Sequence, residues 1–203
     1  YSQVYDGDAA ADITPAWSFN GFISGDTSAT IAYTGRNYNT ANVTTANLIT
    51  VSGLSITSVA GGNSSAPEDY VLDSTTKTVN ATITPKTVSL AVAPKVYDAS
   101  TDMTGYVSIT TGVGGETLTY NGATSNDAHV ATAGKYLNAI TLGNASDGSG
   151  GLASNYQLPT LNAANALVTI NPKTLTLTLT NSGYSPVYDG DAAADITPAW
   201  SFN

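Results

Sequence analysis

The sequence predicts an all-β protein built from small repeated modules. Hydrophobic residues alternate with polar ones in short runs, as Leu175, Leu177 and Leu179 do between threonines. Alternation with a period of two is typical of half-buried strands. No stretch has the spacing of an amphipathic helix, and residues 8–12, with three alanines, allow one or two helical turns at most.

A repeated segment organises the chain. The 17 residues 4–20 reappear unchanged as residues 187–203, which is an offset of 183. A degenerate copy begins at Val96. The period is typical of an array of small domains, so we expect this chain to be a piece of a longer tandem array. The equivalent tyrosines, 92 and 91 residues apart, are Tyr5, Tyr97 and Tyr188.

Prolines mark the joints between modules. Residues 83–87 (Ile-Thr-Pro-Lys-Thr) match residues 170–174 at an offset of 87. Each terminal strand runs into Pro85 or Pro172, which has no N–H for a sheet ladder, and a new alternating strand follows. Short proline joints predict beads on a string. The expected modules are 1–85, which lacks an opening strand, 86–172, which is complete, and 173–203, an opening strand with the signature of a third module.

The same alternation predicts the other strands between clusters of Gly, Asn, Asp and Ser. The two opening strands are the clearest, because leucines or valines occupy every second position in both. The predicted strands are residues 30–33, 48–56, 78–83, 88–92, 117–120, 136–142, 166–170 and 175–179.

The composition excludes several classes of function. Net charge is −9 with six lysines and arginines, which argues against nucleic acid and an anionic membrane as partners. No apolar run approaches the roughly 20 residues that span a bilayer, so we expect no membrane insertion. With one histidine, His129, no cysteine and two glutamates, no catalytic triad or zinc site can be assembled, and we predict no enzyme activity.

Short motifs in a fixed order carry a family resemblance. Val-Tyr-Asp-Gly at residues 4–7 is followed by Gly25-Asp26, by Asp-Tyr-Val-Leu at 69–72 and by Ile-Thr-Pro-Lys at 83–86. The second copy keeps the order, with Ala99 in place of the signature glycine. This arrangement resembles the YDG/MBG type of repeat domain found in large bacterial secreted or surface adhesins, the filamentous-haemagglutinin-like exoproteins.

The resemblance implies small β-grasp-like modules, with an Ig-like sandwich as the alternative, and an extracellular or cell-surface location. It implies a structural role, in which repeats space or assemble an adhesive stalk for cell attachment and biofilm. The alternative from another class is a module that binds a glycan or a host surface through one site per repeat. Expected partners are neighbouring copies of the repeat, end to end, with surface glycans in the alternative.

Acidic clusters raise the question of a metal. Asp6, Asp8 and Asp12 offer the oxygen ligands that calcium prefers, as does the Asn-Ala-Ser-Asp-Gly run at 144–148. The competing interpretation is turn chemistry, because Asp, Asn and Gly close tight turns. Neither run has the spacing of an EF-hand loop, so turns are the preferred interpretation and calcium the alternative. No other cofactor is expected.

The aromatic residues of the repeat are assigned structural roles. We expect the rings of Tyr5, Tyr97 and Tyr188 to pack on their modules, with the aspartate that follows each accepting backbone hydrogen bonds in a turn. Trp17 has apolar neighbours and is predicted to anchor the core, and a platform for a sugar is the alternative.

Two further expectations concern the joints. Lys86 and Lys173 follow the joint prolines; they are predicted to be solvated, and an isopeptide cross-link is the alternative. Residues 173–203 carry Leu175, Leu177 and Leu179 on one face of a strand, which is a template for pairing. We expect them to complete the first module of a neighbouring copy or to continue one long fibre.

Overall fold

The protein is all-β, as its sequence predicts. The computed structural model describes residues 1–180, 187–188, 190 and 198–202. In these residues the only helical turns are two 3-10 turns, Pro67–Asp69 and Ala153–Asn155. No helix in the described part of the chain is long and apolar enough to cross a membrane.

Seven strands form within residues 1–85. The strands are β1 (Ser2–Val4), β2 (Asp26–Ala32), β3 (Gly35–Tyr38), β4 (Leu48–Ser52), β5 (Ser55–Gly61), β6 (Thr76–Asn80) and β7 (Thr82–Thr84). β1 and β7 form a parallel pair, and β2 and β5 form an antiparallel pair. β4 lies between β3 and β6 in a three-stranded antiparallel sheet.

Residues 86–172 contain eight short strands, all paired in twos. The strands are β8 (Lys86–Thr87), β9 (Ser89–Val92), β10 (Lys95–Val96), β11 (Val107–Thr110), β12 (Thr119–Ser125), β13 (Leu137–Gly143), β14 (Tyr156–Gln157) and β15 (Ile170–Asn171). β9 pairs with β11 and β12 with β13, both antiparallel, whereas β8 with β14 and β10 with β15 are parallel. Beyond them, β16 (Leu177–Leu179) pairs antiparallel with β17 (Trp200–Phe202).

The signature strand pairs in the same way in both halves. β1 lies parallel to β7, and the N–H of Tyr5 donates to the carbonyl of Thr84 at 2.9 Å. β10 lies parallel to β15, and the N–H of Tyr97 donates to the carbonyl of Asn171 at 2.9 Å. Each Val-Tyr-Asp signature therefore lies at the end of a parallel ladder whose partner strand precedes a proline, Pro85 or Pro172.

Two hydrophobic cores form, and the first includes residues from both halves. The largest fully buried apolar side chains are Ile49 in the first core and Met103 and Leu137 in the second. Val88 and Tyr156 belong to residues 86–172, yet they are buried in the first core. Apolar contact as well as the Pro85 joint therefore holds the two halves together.

The observed elements differ from the predicted ones where turns intervene. The strand predicted over 48–56 is divided into β4 and β5, because Gly53 has φ +66°, a conformation that ends a ladder. Residues 8–12 form no helix, since backbone hydrogen bonds of this stretch go to Arg36 and to nearby side chains. In the strand predicted over 166–170, only Ile170 lies in a strand, and Leu167 makes an isolated bridge to Tyr136.

Candidate functional site: the junction between the halves and the Trp17 groove

The signature turn after Tyr5 is closed by its aspartates. The N–H of Asp8 donates to Asp6 Oδ1 at 3.2 Å, and the N–H of Ala10 donates to Asp8 Oδ1 at 2.7 Å. Gly7 between them has φ +101°, a left-handed conformation that glycine adopts without steric cost. A Cβ at Gly7 would lie 2.6 Å from Cγ1 of Val113 in the other half. The signature glycine therefore serves both the turn and the close approach of the halves.

The aspartates considered as calcium ligands do not form a metal site in this structure. Asp6 Oδ2 accepts a hydrogen bond from Gln3 Nε2 at 2.8 Å. Asp12 bonds to the same side chain through its backbone N–H, which donates to Gln3 Oε1 at 2.9 Å. In the described ranges, no three His, Cys, Asp or Glu side chains are grouped so that they could hold a metal ion. Asp147, in the second acidic run, accepts from Thr117 Oγ1 at 2.7 Å. Turn and loop contacts account for the carboxylates of Asp6, Asp8 and Asp147.

Glu116 joins the two halves through Tyr5, and Tyr156 of its own half holds the same carboxylate. Its Oε1 accepts from the Tyr5 hydroxyl at 2.6 Å, and its Oε2 accepts from the Tyr156 hydroxyl at 2.8 Å. The two rings meet edge to face, with centroids 5.4 Å apart. Hydrogen bonds to an ionised carboxylate are roughly twice as strong as neutral ones. Glu116 therefore links residues 111 positions apart in the sequence.

The junction keeps both tyrosines in their neutral form. Burial and the hydrogen bond to Glu116 raise the pKa of Tyr5 to about 12. The same two causes raise the pKa of Tyr156 above its ordinary value. A phenol that donates to a carboxylate in a buried place loses both solvation and its hydrogen bond when it ionises.

A second polar contact crosses the junction at Asn155. Its side chain is 1% exposed, and Oδ1 accepts from the N–H of Val43 at 3.0 Å. Nδ2 donates to Oδ1 of Asn42 at 3.0 Å. A buried amide whose donor and acceptor are both used in this way specifies one relative position of the two loops.

The tyrosine–carboxylate pair occurs once in each half. Asp26 Oδ2 accepts from the Tyr70 hydroxyl at 2.7 Å and from Ser65 Oγ at 2.7 Å. The two hydrogen bonds hold the pKa of Asp26 below its ordinary value, and the one from Ser65 makes the larger contribution. Asp26 and Glu116 each follow a glycine, and Tyr70 and Tyr156 are equivalent at an offset of 86. The pair was visible in the sequence as repeated motifs, but its contact was not predicted.

Two lysines away from the proline joints, Lys95 and Lys135, are buried. Lys95 is 3% exposed; its Nζ donates to the carbonyl of Asp102 at 2.7 Å and pairs with Asp98 Oδ1 at 2.9 Å. Lys135 is 4% exposed, and its Nζ donates to the carbonyls of Val130 and Thr132. Backbone carbonyls thus compensate for the loss of solvation. No feature of the sequence distinguishes these lysines from exposed ones.

The residues at the joints are placed as follows. Lys86 and Pro85 are half-buried, whereas Lys173 and Pro172 are exposed. Neither lysine forms a salt bridge within the described part of the chain. Cε of Lys86 lies 3.2 Å from where a Cβ on Gly112 would be. The isopeptide cross-link stays a prediction.

The other signature tyrosines differ in their surroundings. Tyr97 packs against the second core and stacks with His129, with centroids 6.1 Å apart. Asp98 Oδ1 accepts from the N–H of Ser100 at 3.0 Å, as in the first turn. Tyr188, in contrast, is 92% exposed, because no core lies beside it in the described residues. The aspartate after it, residue 189, lies outside the described residues.

Trp17 lies on an extended stretch beside an open groove. The side chains of Pro15, Trp17 and Phe19 are half-buried, and those between them are exposed. Trp17 packs against the first core without being enclosed by it. Phe22 lies between Phe19 and Tyr70, with centroids 5.5 and 5.3 Å away. These aromatic residues line a cavity of about 400 Å³.

The three leucines after Pro172 remain largely exposed. Leu175 is 67% exposed and outside any strand, whereas Leu177 and Leu179 are 52% and 48% exposed and lie in β16. Leu179 is opposite Trp200 and Leu177 is opposite Phe202 in the ladder with β17. β17 is thus a copy of residues 17–19, so the opening strand pairs with the signature segment within the chain. Residues 191–197 and 203, expected to repeat the conformation of the first copy, lie outside the described residues.

Comparison with known proteins identifies part of the chain. Neither a curated protein nor a solved structure gives a match. The family described as the YDG domain matches residues 1–78, which begin with the signature strand and include Asp26 and Tyr70. Residues 1–78 therefore form a YDG-type domain.

Proposed function

We propose that the chain is a structural repeat segment of an exported bacterial adhesin or extracellular fibre. In this proposal, β-grasp-like modules at 1–85, 86–172 and 173–203 follow one another in tandem at the cell surface. They space or assemble an adhesive stalk for cell attachment and biofilm, and they carry no enzyme activity. The parallel pairing of the signature strand with the last strand of each half, β1 with β7 and β10 with β15, supports the β-grasp-like assignment.

The observation that carries the proposal is the junction at Glu116. A stalk needs successive modules to keep a fixed orientation, and orientation is fixed by contacts between modules rather than by a proline joint alone. The carboxylate of Glu116 accepts from Tyr5 of one half and Tyr156 of the other, and Asn155 adds a buried amide contact. Because the signature recurs unchanged at an offset of 183 residues, an array would repeat the contact between Tyr5 and Glu116 once in each long repeat.

Small-angle scattering tests this role. A chain extended by one 183-residue repeat should increase its maximum dimension by a constant increment, and Glu116→Gln should broaden the distance distribution by loosening the junction. Glu68→Gln is the matched control, since the only other glutamate is exposed. A folded-back, compact extended chain would rule out a stalk.

A second function, glycan binding, is favoured by one observation. Trp17 is half-buried beside a cavity of about 400 Å³ that Phe19, Phe22 and Tyr70 also line, and aromatic faces of this kind stack on sugars. Because the chain has two tryptophans, Trp200→Phe leaves Trp17 as the sole tryptophan fluorophore. Saturable quenching by an oligosaccharide, absent in Trp17→Phe, would favour this function; no change across neutral and acidic sugars would exclude it.

A further inference from the structure

The proposed array contains a second kind of joint besides the junction at Glu116. Residues 187–203 repeat residues 4–20, so the half that follows residues 86–172 begins as a copy of the first half. In the array, residues 86–172 of one repeat therefore lie next to a copy of residues 1–85, at what we call the repeat joint. Each residue of the observed junction has an equivalent there, because both halves carry the same motifs in the same order.

The close approach at Gly7 is not possible at the repeat joint. A Cβ on Gly7 would lie 2.6 Å from Cγ1 of Val113, and the residue equivalent to Gly7 is Ala99, which has this Cβ. The residue equivalent to Val113 is Ile23, which is larger by one methylene. Nonbonded carbon atoms pack at about 3.5–4 Å, so the halves lie about 1 Å further apart at this point of the repeat joint.

The carboxylate contact of the junction is also changed at the repeat joint. Glu116 accepts a hydrogen bond from Tyr5 of the other half, and its equivalent in the first half is Asp26. Asp26 is shorter by one methylene, and both of its oxygens accept hydrogen bonds from side chains of its own half at 2.7–3.0 Å. Tyr97, the equivalent of Tyr5, stacks on His129 instead. The repeat joint therefore does not repeat the tyrosine–carboxylate contact between halves.

The asparagine pair of the junction is replaced by a histidine and an aspartate. In the junction, Asn42 Oδ1 accepts from Asn155 Nδ2 at 3.0 Å. Asp69 is the equivalent of Asn155, because each is the last residue of a 3-10 turn and precedes an equivalent tyrosine. His129 is the equivalent of Asn42, at an offset of 87. Both members of the pair have therefore changed.

Local hydrogen bonds support the equivalence of Asn42 and His129. The N–H of Asn42 donates to Oγ1 of Thr40, two residues earlier. In the same way, the N–H of His129 donates to Oδ1 of Asp127. Each loop opens three residues before this position, with an asparagine whose Oδ1 accepts from a backbone N–H at the far end of the loop. The two side chains therefore occupy the same place in the two halves.

We propose that the repeat joint is held by a hydrogen bond from the imidazole of His129 to the carboxylate of Asp69 in the next copy. An imidazole donates an N–H in either protonation state and a carboxylate only accepts, so the two changed residues form a donor–acceptor pair. Asp69 Oδ2 accepts from the N–H of Ala66 at 2.8 Å, and within the described residues Oδ1 accepts no hydrogen bond. The partner is a copy of residues 1–85, and the contact depends on the proposed array.

The array then alternates between two different joints. Within a repeat, the close approach at Gly7 and the hydrogen bonds of Glu116 and Asn155 hold the halves together. Between repeats, the wider spacing lets water reach the contact of His129 with Asp69, and a hydrogen bond that competes with water contributes little net free energy. The repeat joint is therefore the weaker of the two, and long repeats move as units about it.

Cross-linking in an extended chain tests the contact. Residues 1–203 followed by residues 21–203 make a chain with one repeat joint. His129→Cys in the first copy and Asp69→Cys in the second are treated with a short bismaleimide, and the chain has no other cysteine. Both positions are exposed, so the substitutions leave the cores unchanged. His129→Cys with Asp73→Cys, a second exposed aspartate of the same half, is the matched control.

We expect the pair at positions 129 and 69 to cross-link at about ten times the initial rate of the control, because the joint holds the two thiols at a high effective concentration. Equal rates would overturn the proposal. So would a rapid intramolecular cross-link between the same two positions in the 203-residue chain, because Asp69 of the same copy would then be the partner.

An exchange of the two residues gives a second measurement, by small-angle scattering of the extended chain. His129→Asp in the first copy places two carboxylates together and should broaden the distance distribution at low salt. Addition of Asp69→His in the second copy should restore the original distribution. The matched control is His129→Asp in the second copy, which no complete half follows in this chain, and it should leave the distribution unchanged.

The proposal is overturned by a single variant that behaves like the control, or by a double variant whose distance distribution is as broad as that of the single one. Either result leaves the stalk intact, because the chain stays extended and keeps the junction at Glu116. A compact, folded-back chain contradicts the stalk itself, so the two failures are distinguishable.

Discussion

Removal of one hydroxyl at the junction tests how the halves are joined. Tyr5→Phe deletes the hydrogen bond to Glu116 at 2.6 Å and keeps the ring, which is 3% exposed and packs edge to face on Tyr156. A hydrogen bond to a charged group contributes about 1.5–3 kcal/mol. Because Glu116 is half-buried, we expect the lower end, a loss of about 1.5 kcal/mol in the free energy of unfolding at pH 8.

The same variant should change how the free energy of unfolding depends on pH in the alkaline range. The pKa of Tyr5 is raised to about 12, against about 10 when unfolded. A raised folded pKa stabilises the protein below pH 10, and this contribution is lost as the pH rises towards 12. At pH 11 the native chain has lost about 1.4 kcal/mol of it. The difference in the free energy of unfolding between the native chain and Tyr5→Phe should therefore narrow from about 1.5 kcal/mol to nearly zero.

Urea unfolding at pH 8 and pH 11 measures both effects. Tyr38→Phe is the control at pH 8, because Tyr38 is 4% exposed and its hydroxyl donates to the neutral carbonyl of Thr82 at 3.2 Å. We expect it to lose about 0.5–1 kcal/mol. The reasoning fails if Tyr5→Phe costs no more than Tyr38→Phe, or if the difference from the native chain is as large at pH 11 as at pH 8.

Three other outcomes are expected. Asn155→Ala removes a side chain that is 1% exposed and leaves its partners unpaired, so the free energy of unfolding measured in urea should fall by about 1–3 kcal/mol. Ala99 has φ +65°, and Ala99→Gly should raise the free energy of unfolding by about 0.5–1 kcal/mol in the same assay, since relief of strain exceeds the entropy cost of glycine. Ser65 and Tyr70 hold the pKa of Asp26 below its ordinary value, so its contribution to stability is present above about pH 4 and is lost as the pH falls through the folded pKa. In an acid titration followed by circular dichroism, Asp26→Asn should be less stable at neutral pH and should lose less stability on acidification.

Local patterns predicted the strands because burial of alternate residues is a local property. The alternation at Leu90 and Val92 predicted β9, and the leucines after Pro172 predicted β16. The strand predicted over 48–56 was too long, since alternation alone does not register that Gly53 turns the chain. Strands such as β3 (Gly35–Tyr38), which contains Arg36, were missed because a polar strand has no apolar signature.

The candidate site was predicted only in its parts. The sequence contained Gly-Asp and Gly-Glu motifs and repeated tyrosines, but it gave no sign that Glu116 meets Tyr5. Such a contact depends on how two folded halves approach, and no local periodicity encodes that. The same limit applies to Lys95, which is buried because carbonyls of a neighbouring loop surround its ammonium group.

The sequence by itself determined that the chain is all-β, that its signature recurs and that strands end before Pro85 and Pro172. These features depend on side-chain period, on exact copies and on the missing N–H of proline, all of which can be read locally. The tertiary structure decided which segments pair. Residues 17–19 have the same sequence as 200–202, yet only the second copy forms a strand, β17, because pairing depends on which strand reaches the edge.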